Sequence, residues 1–166
     1  MPRQILDTGD RTEFTTGAVR DMHEGKGRCD LLPLDVVASC LDDDQVLYYI
    51  NVFQSNNDIE NLKMALVNFF VNYTNWGSRY TMFLEVAKHF EEGAKKYGES
   101  NWKKGIPVKF YIDSAVRHFL KYIRGDQDEP HDRAFCWNII CAMWTCKHKP
   151  ELNDYGKEDA DVVSSV

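Results

Sequence analysis

Apolar residues recur at spacings of three and four along most of this chain, and short polar breaks divide the pattern into helical units. Leu32, Val36, Val37 and Cys40 mark a helix over 31–41, with Pro33 tolerable in its first turn. Val46, Tyr49, Ile50 and Phe53 form one stripe over 43–53. The break QSNND ends in good N-cap residues. Leu62, Leu66, Phe69, Phe70 and Tyr73 then predict a helix over 59–73, and a long one follows TNWGS over 79–97. GESNWKKGIP connects it to a helix opened by Pro107 and ending near Gly125. After the acidic turn DQDEP, Pro130 opens the last helix, which runs to about Lys147. No segment alternates with period two between turn signals. The pattern therefore predicts one all-α domain over 1–150, centred on its last three helices. Residues 1–30 read as an irregular arm, and 151–166 as a flexible tail that frays from Pro150.

The segment 134–146 is apolar nearly all round, broken by Asn138 and Thr145. Such a helix is either buried centrally or packed against another subunit, and its apolar circumference leads us to expect a homo-oligomer. The 166 residues suffice for one core, with 43% hydrophobic and 28% charged residues in a globular balance. A formal net charge of −6 and a pI near 5.3 argue against a polymeric nucleic-acid partner, which would need a basic face. No secretory leader or apolar run of membrane-spanning length is visible, so the expectation is a cytoplasmic protein with no membrane partner. Cys29, Cys40, Cys136, Cys141 and Cys146 are odd in number and never spaced CxxC, which suits free thiols.

Candidate chemistry gathers on the later helices. Glu85, His89 and Glu92 share a helical face; Asp113, Arg117, His118 and Lys121 share another. Asp126, Asp128, Glu129, His131 and Asp132 span a turn and a helix start. Carboxylates on adjoining helices repel unless a cation sits among them, and a hard ion such as Mg²⁺ takes oxygen ligands. The plainer reading is a set of solvated faces, with the acids of 126–132 complementing a helix N-terminus. We prefer that plainer reading for Asp126 and the metal reading for Asp113, which lies on a strongly apolar helix. His131–Asp132 is also an HD pair, which His89 or His118 could precede as in metal-dependent HD phosphohydrolases. His23 and His148 read as surface residues.

The arm holds TGAVRDMHEGKGR, a cationic, glycine-punctuated stretch on an acidic protein. It fails the phosphate-loop pattern GxxxxGK[ST], since Arg20 stands at the first glycine and Gly27 follows Lys26. What remains is an anion cradle of accessible N–H groups flanked by Arg20, Lys26 and Arg28, or else a solvated linker. Composition alone leaves both open.

Three blocks, TGAVRDMHEGKGRCDLLPLDVV, GAKKYGESNWKKGIP and YIDSAVRHFLKYIRGDQDEPHDRAFCWN, together resemble the phage-type dATP/dGTP diphosphohydrolase family, a MazZ-type, MazG-like branch of the all-α nucleotide pyrophosphatases. The resemblance implies a phage- or prophage-encoded protein of the bacterial cytoplasm that hydrolyses purine deoxynucleoside triphosphates to the monophosphate and diphosphate. It leaves 41–80 as a variable helical insert. It also implies Mg²⁺, or Mn²⁺ in its place, bound by ExxE and ExxD pairs on neighbouring helices. Glu129-Pro-His-Asp132 supplies the second pair, whereas no ExxE exists in this chain. The metal set then comes from Glu85, Glu92, Asp113, Asp128, Glu129 and Asp132. From the charges, His131 or a nearby free carboxylate would take the proton, and Arg117 and Lys96 would neutralise the leaving group together with the arm residues Lys26 and Arg28, with Arg20 as a further substrate-binding cation. Tyr97 and Trp102 would stack the purine, and Asn101 or Asn138 would read its edge. The missing ExxE keeps two alternatives alive, a nucleotide-binding protein without turnover and the HD-type phosphohydrolase.

Overall fold

The computed structural model describes Gln4 and residues 9–156. Among these residues six α-helices carry the fold: α1 (Leu34–Cys40), α2 (Gln45–Asn56), α3 (Ile59–Tyr73), α4 (Arg79–Tyr97), α5 (Val108–Arg124) and α6 (His131–His148). Local chemistry explains their limits. Asp44, Asp58 and Ser78 cap α2, α3 and α4 by accepting from the N–H groups of Leu47, Glu60 and Thr81. Gly125, at φ 91°, takes the left-handed turn that ends α5.

Helix α6 lies at the centre, with α3, α4 and α5 packed around it. Phe135 of α6 meets Phe69 of α3, ring centroids 4.4 Å apart, and Phe119 of α5 at 5.9 Å. All three rings are buried, and truncating Phe135 to alanine would remove about 3–5 kcal/mol. Most of the apolar circumference of α6 is covered within the chain, while Trp137, Ile140, Met143 and Trp144 stay half-buried. The segment 41–80 supplies α2 and α3, whose Ile50, Phe53, Leu62 and Phe69 belong to the same core.

Two regions differ from the sequence pattern. The arm contains a hairpin, β1 (Arg11–Glu13) paired antiparallel with β2 (Val19–Asp21) in the register Thr12 to Arg20. Strands of three residues are too short to show a period. Their turn is closed by Phe14 and Ala18, with Gly17 at φ 84°. Composition also predicts fraying from Pro150, yet 150–155 pack onto the body. The Tyr155 ring meets Phe53, and the Asp154 carboxylate accepts from the Lys109 N–H at 3.0 Å. Residues 157–166 of the expected tail lie outside the described residues. No helix among the described residues is long and apolar enough to cross a membrane. All five cysteines are free thiols.

Candidate functional site

A cavity of about 210 Å³ lies between the arm, the second half of α4, the 98–106 connection, α5 and the middle of α6. Its lining changes character along α5. Phe110 stands at one end of that helix segment, Asp113 and Arg117 follow at successive turns, and Lys121 closes it, about 16 Å further along the axis. Phe14, Phe90, Trp102 and Trp137 add aromatic surface, whereas Lys26, His118 and Glu129 join the polar lining. Asp113 belongs to the buried face of α5, among Ile112, Ala115 and Val116, so a carboxylate is held where helical periodicity calls for an apolar residue.

The arm forms a wall of this cavity because the helices grip its backbone. The Asn101 side chain donates to the Val19 carbonyl and accepts from the Val19 N–H, both at 2.8 Å. Arg20 donates to the Asn138 side-chain oxygen at 3.1 Å, and its guanidinium lies 5.4 Å from the Tyr111 ring centroid and 5.7 Å from that of Trp137. Asp21 accepts from Lys96 and from the Tyr97 hydroxyl, each at 3.0 Å. Burial, followed by the Asp21 charge, drives the Tyr97 pKa well above its ordinary value, so that hydroxyl remains a donor. Arg117 donates to the Gly27 carbonyl at 2.7 Å and to Asp113 at 2.6 Å, tying the glycine-rich stretch to α5. Lys26 lines the cavity, and partial burial of its ammonium lowers its pKa.

Two residues that line the cavity each carry a buried polar atom with no protein partner, Nδ1 of His89 and Nε1 of Trp137, on rings 5.5 Å apart. Burial, then the charges of Arg133 and Arg20, lowers the His89 pKa to about 3, so its ring is neutral. Buried polar groups are ordinarily satisfied, so this orphan pair on cavity-lining side chains is a candidate contact for a ligand's polar edge.

At the polar end, Nδ1 of His118 and Nδ1 of His131 stand 2.9 Å apart. Oε1 of Glu129 lies 3.6 Å from the first and 3.7 Å from the second. His131 is fully buried, and its Nε2 meets Asp128 at 2.7 Å. Burial opposes ionisation of Asp128, but the bonds to His131 and the nearby Lys121 outweigh it and lower its pKa. Burial and the neighbouring His131 push the His118 pKa well below its usual value.

The residues singled out from the sequence are brought together only in part. Arg20, Lys26, Tyr97, Asn101, Trp102, Asp113, Arg117, Glu129 and Asn138 line the cavity. His131 lies behind His118, both ring nitrogens engaged, with Asp128 beyond it. Asn101 and Asn138 spend their amides on the arm and on the Ala134 carbonyl, and Lys96 pairs with Asp21. Arg28 turns away and forks onto Asp30 with two bonds of 2.8 Å. Glu85 pairs with Lys88 and Glu92 with Arg133, in a separate shallow groove. Asp132 accepts from the Arg133 N–H and does not line the cavity, so the HD pair does not share a site. His89 and His118, weighed from sequence only as partners of an HD pair, line the cavity, as do Trp137, which had no site role, and His23, which read as a surface residue but packs on Phe110. The signal available for His89, His118 and Trp137 was polar atoms placed on faces that otherwise read as core.

Mg²⁺ demands a near-octahedral set of oxygens. Among the described residues, two groups bring three potential ligand atoms within 4.8 Å of one another, His118–Glu129–His131 and Asp126–Asp128–His131, and each includes an imidazole. This donor set does not fit a Mg²⁺ cage built from the protein's carboxylates.

Residues 56–155 match the family described as dATP/dGTP diphosphohydrolase, N-terminal. No curated protein and no solved structure matches the chain.

Proposed function

Because the chain belongs to the dATP/dGTP diphosphohydrolase N-terminal family, a family named for nucleotide hydrolysis, we propose that its cavity cleaves purine deoxynucleoside triphosphates to the monophosphate and diphosphate. The observation that carries this reading is the gradient along α5, from the aromatic surface around Phe110 to the cations Arg117 and Lys121. A nucleoside triphosphate has the same polarity, a flat apolar base at one end and a polyanion at the other. Trp102, Phe90 and Trp137 give the base its surface. The Trp137 N–H meets a ring nitrogen acceptor that adenine and guanine share, and His89 supplies the second polar contact. This pair takes the edge-reading role that the sequence suggested for Asn101 and Asn138.

Lys26, Arg117 and Lys121 stand where the phosphates lie, and they offset the charge that builds on diphosphate as water attacks the α-phosphorus. Asp113 holds the Arg117 guanidinium in place, and the arm keeps bulk water from the reacting end. Mg²⁺ belongs to this reading as the counter-ion of the triphosphate rather than as an ion caged by six carboxylates. Self-association uses the exposed Tyr80, Phe83 and Leu84 of α4, since most of the apolar surface of α6 is covered; light scattering on a Leu84→Glu variant checks this.

The test is incubation with dATP or dGTP and Mg²⁺, followed by product analysis. Diphosphate with deoxynucleoside monophosphate is the expected outcome. Tripolyphosphate with deoxynucleoside would replace it with the HD-type reaction, and stoichiometric binding without turnover would leave a nucleotide-binding protein.

A further inference from the structure

We propose that Nδ1 of His118, Nδ1 of His131 and Oε1 of Glu129 form a site for one first-row transition-metal dication, whose remaining coordination positions open into the cavity. The three atoms are separated by 2.9, 3.6 and 3.7 Å. An ion at the centre of a triangle so spaced lies about 2.0 Å from each atom, the ordinary length of a zinc bond to imidazole nitrogen or carboxylate oxygen. The His118–His131 contact has the length of a hydrogen bond, but the two glutamate distances are too long for one. A metal centre makes sense of all three at once.

The surroundings are those of a built site. Asp128 accepts from Nε2 of His131 at 2.7 Å, which places that ring's proton on Nε2 and leaves the Nδ1 lone pair directed at the triangle. A carboxylate behind a ligating histidine orients it and raises its basicity. His131 closes the inner side, fully buried, while His118 and Glu129 line the cavity. Open positions therefore face the region of Arg117 and Lys121, where a phosphate oxygen or a water can occupy them. Two imidazoles and one carboxylate select zinc, cobalt, iron or manganese over magnesium, which prefers oxygen throughout. The neighbouring group Asp126–Asp128–His131 is not equivalent. Arg124 grips both oxygens of Asp126, at 2.7 and 2.5 Å, and Asp128 already engages Nε2 of His131.

The experiment uses the full chain, freed of metal by a chelator and titrated with Co²⁺ without nucleotide, so its result does not depend on the hydrolase reading. Visible absorption bands should grow to one equivalent per chain, yield to Zn²⁺, and persist in millimolar Mg²⁺. His118→Ala, and the near-isosteric Glu129→Gln that guards against misfolding, should each lower affinity by about a hundredfold or more. Asp128→Asn should lower it about 10–100-fold as a positioning change, and Asp126→Ala should leave it unaltered. Absence of stoichiometric Co²⁺ binding would overturn the proposal. So would binding that survives in a folded His118→Ala variant but disappears in Asp126→Ala.

Discussion

The arm and the helical body form opposite walls of one cavity by different physical means. The body, α3 to α6, falls within the family match and places its side chains by burial: Asp113, His118 and Trp137 sit where they do because the apolar stripes beside them are packed. The arm lies outside that match; among its described residues Ala18 alone is a fully buried apolar residue, with Phe14 and Cys29 packed half-buried against the core. It is held by polar grips on Val19, Arg20, Asp21 and Gly27. Burial is distributed over many residues, whereas those grips are few and separable. Single changes in the arm should thus alter function at modest stability cost, and changes in the body should couple the two.

Arg20→Ala tests this contrast most severely. It removes the bond to Asn138 and the stacking on Tyr111 and Trp137, together about 2–3 kcal/mol. We expect kcat/KM to fall about a hundredfold as the wall loses its position, with a melting point lower by roughly 4–10 °C. Full activity in this variant would break the comparison.

Lys26→Ala should cost about tenfold in kcat/KM, the worth of one charge-assisted hydrogen bond, and leave the melting point unchanged. On the body side, Trp137→Phe keeps the ring's surface but deletes its N–H. It should raise KM for dATP and dGTP by the same factor, roughly fivefold, because the acceptor is common to both bases. Unequal effects would move base discrimination to Trp137 itself.

Stability should respond to pH through His89. Its native pKa is about 3 against an ordinary 6.5, so between those values the unfolded chain binds a proton that the native protein refuses. This contribution is fully present above about pH 6.5 and is lost as pH falls toward 3, at up to roughly 1.4 kcal/mol per pH unit. Denaturant melts across that range should be flatter for His89→Phe than for the native chain.

The smallest effect is expected for Arg28→Ala. That guanidinium is half exposed and engaged with Asp30, so kcat/KM should change by less than about twofold. A loss matching that of Lys26→Ala would bring Arg28 back to the phosphates.

Helical periodicity determined most of the fold before any contact was known. The stripes predicted α3 over 59–73 and α4 over 79–97, the limits observed, and Pro107 and Pro130 marked where α5 and α6 begin. Asp113 was conspicuous because a carboxylate broke an apolar stripe, and Lys26 because a cation stood among glycines. These signals are local, fixed by spacing along one helix or one loop. Tertiary structure alone decided which of them share a cavity. Glu85 and Glu92 stand on the same stretch of α4 as His89, but α6 offers Arg133 to Glu92 and only the histidine turns to the cavity. His118 and His131, thirteen positions apart, become neighbours because α5 and α6 pack as an antiparallel pair across a short turn. The hairpin was hidden for a related reason. Three-residue strands carry no period, and the contacts that hold this pair against the body are as remote in sequence as Asn101, 82 positions beyond the valine it grips.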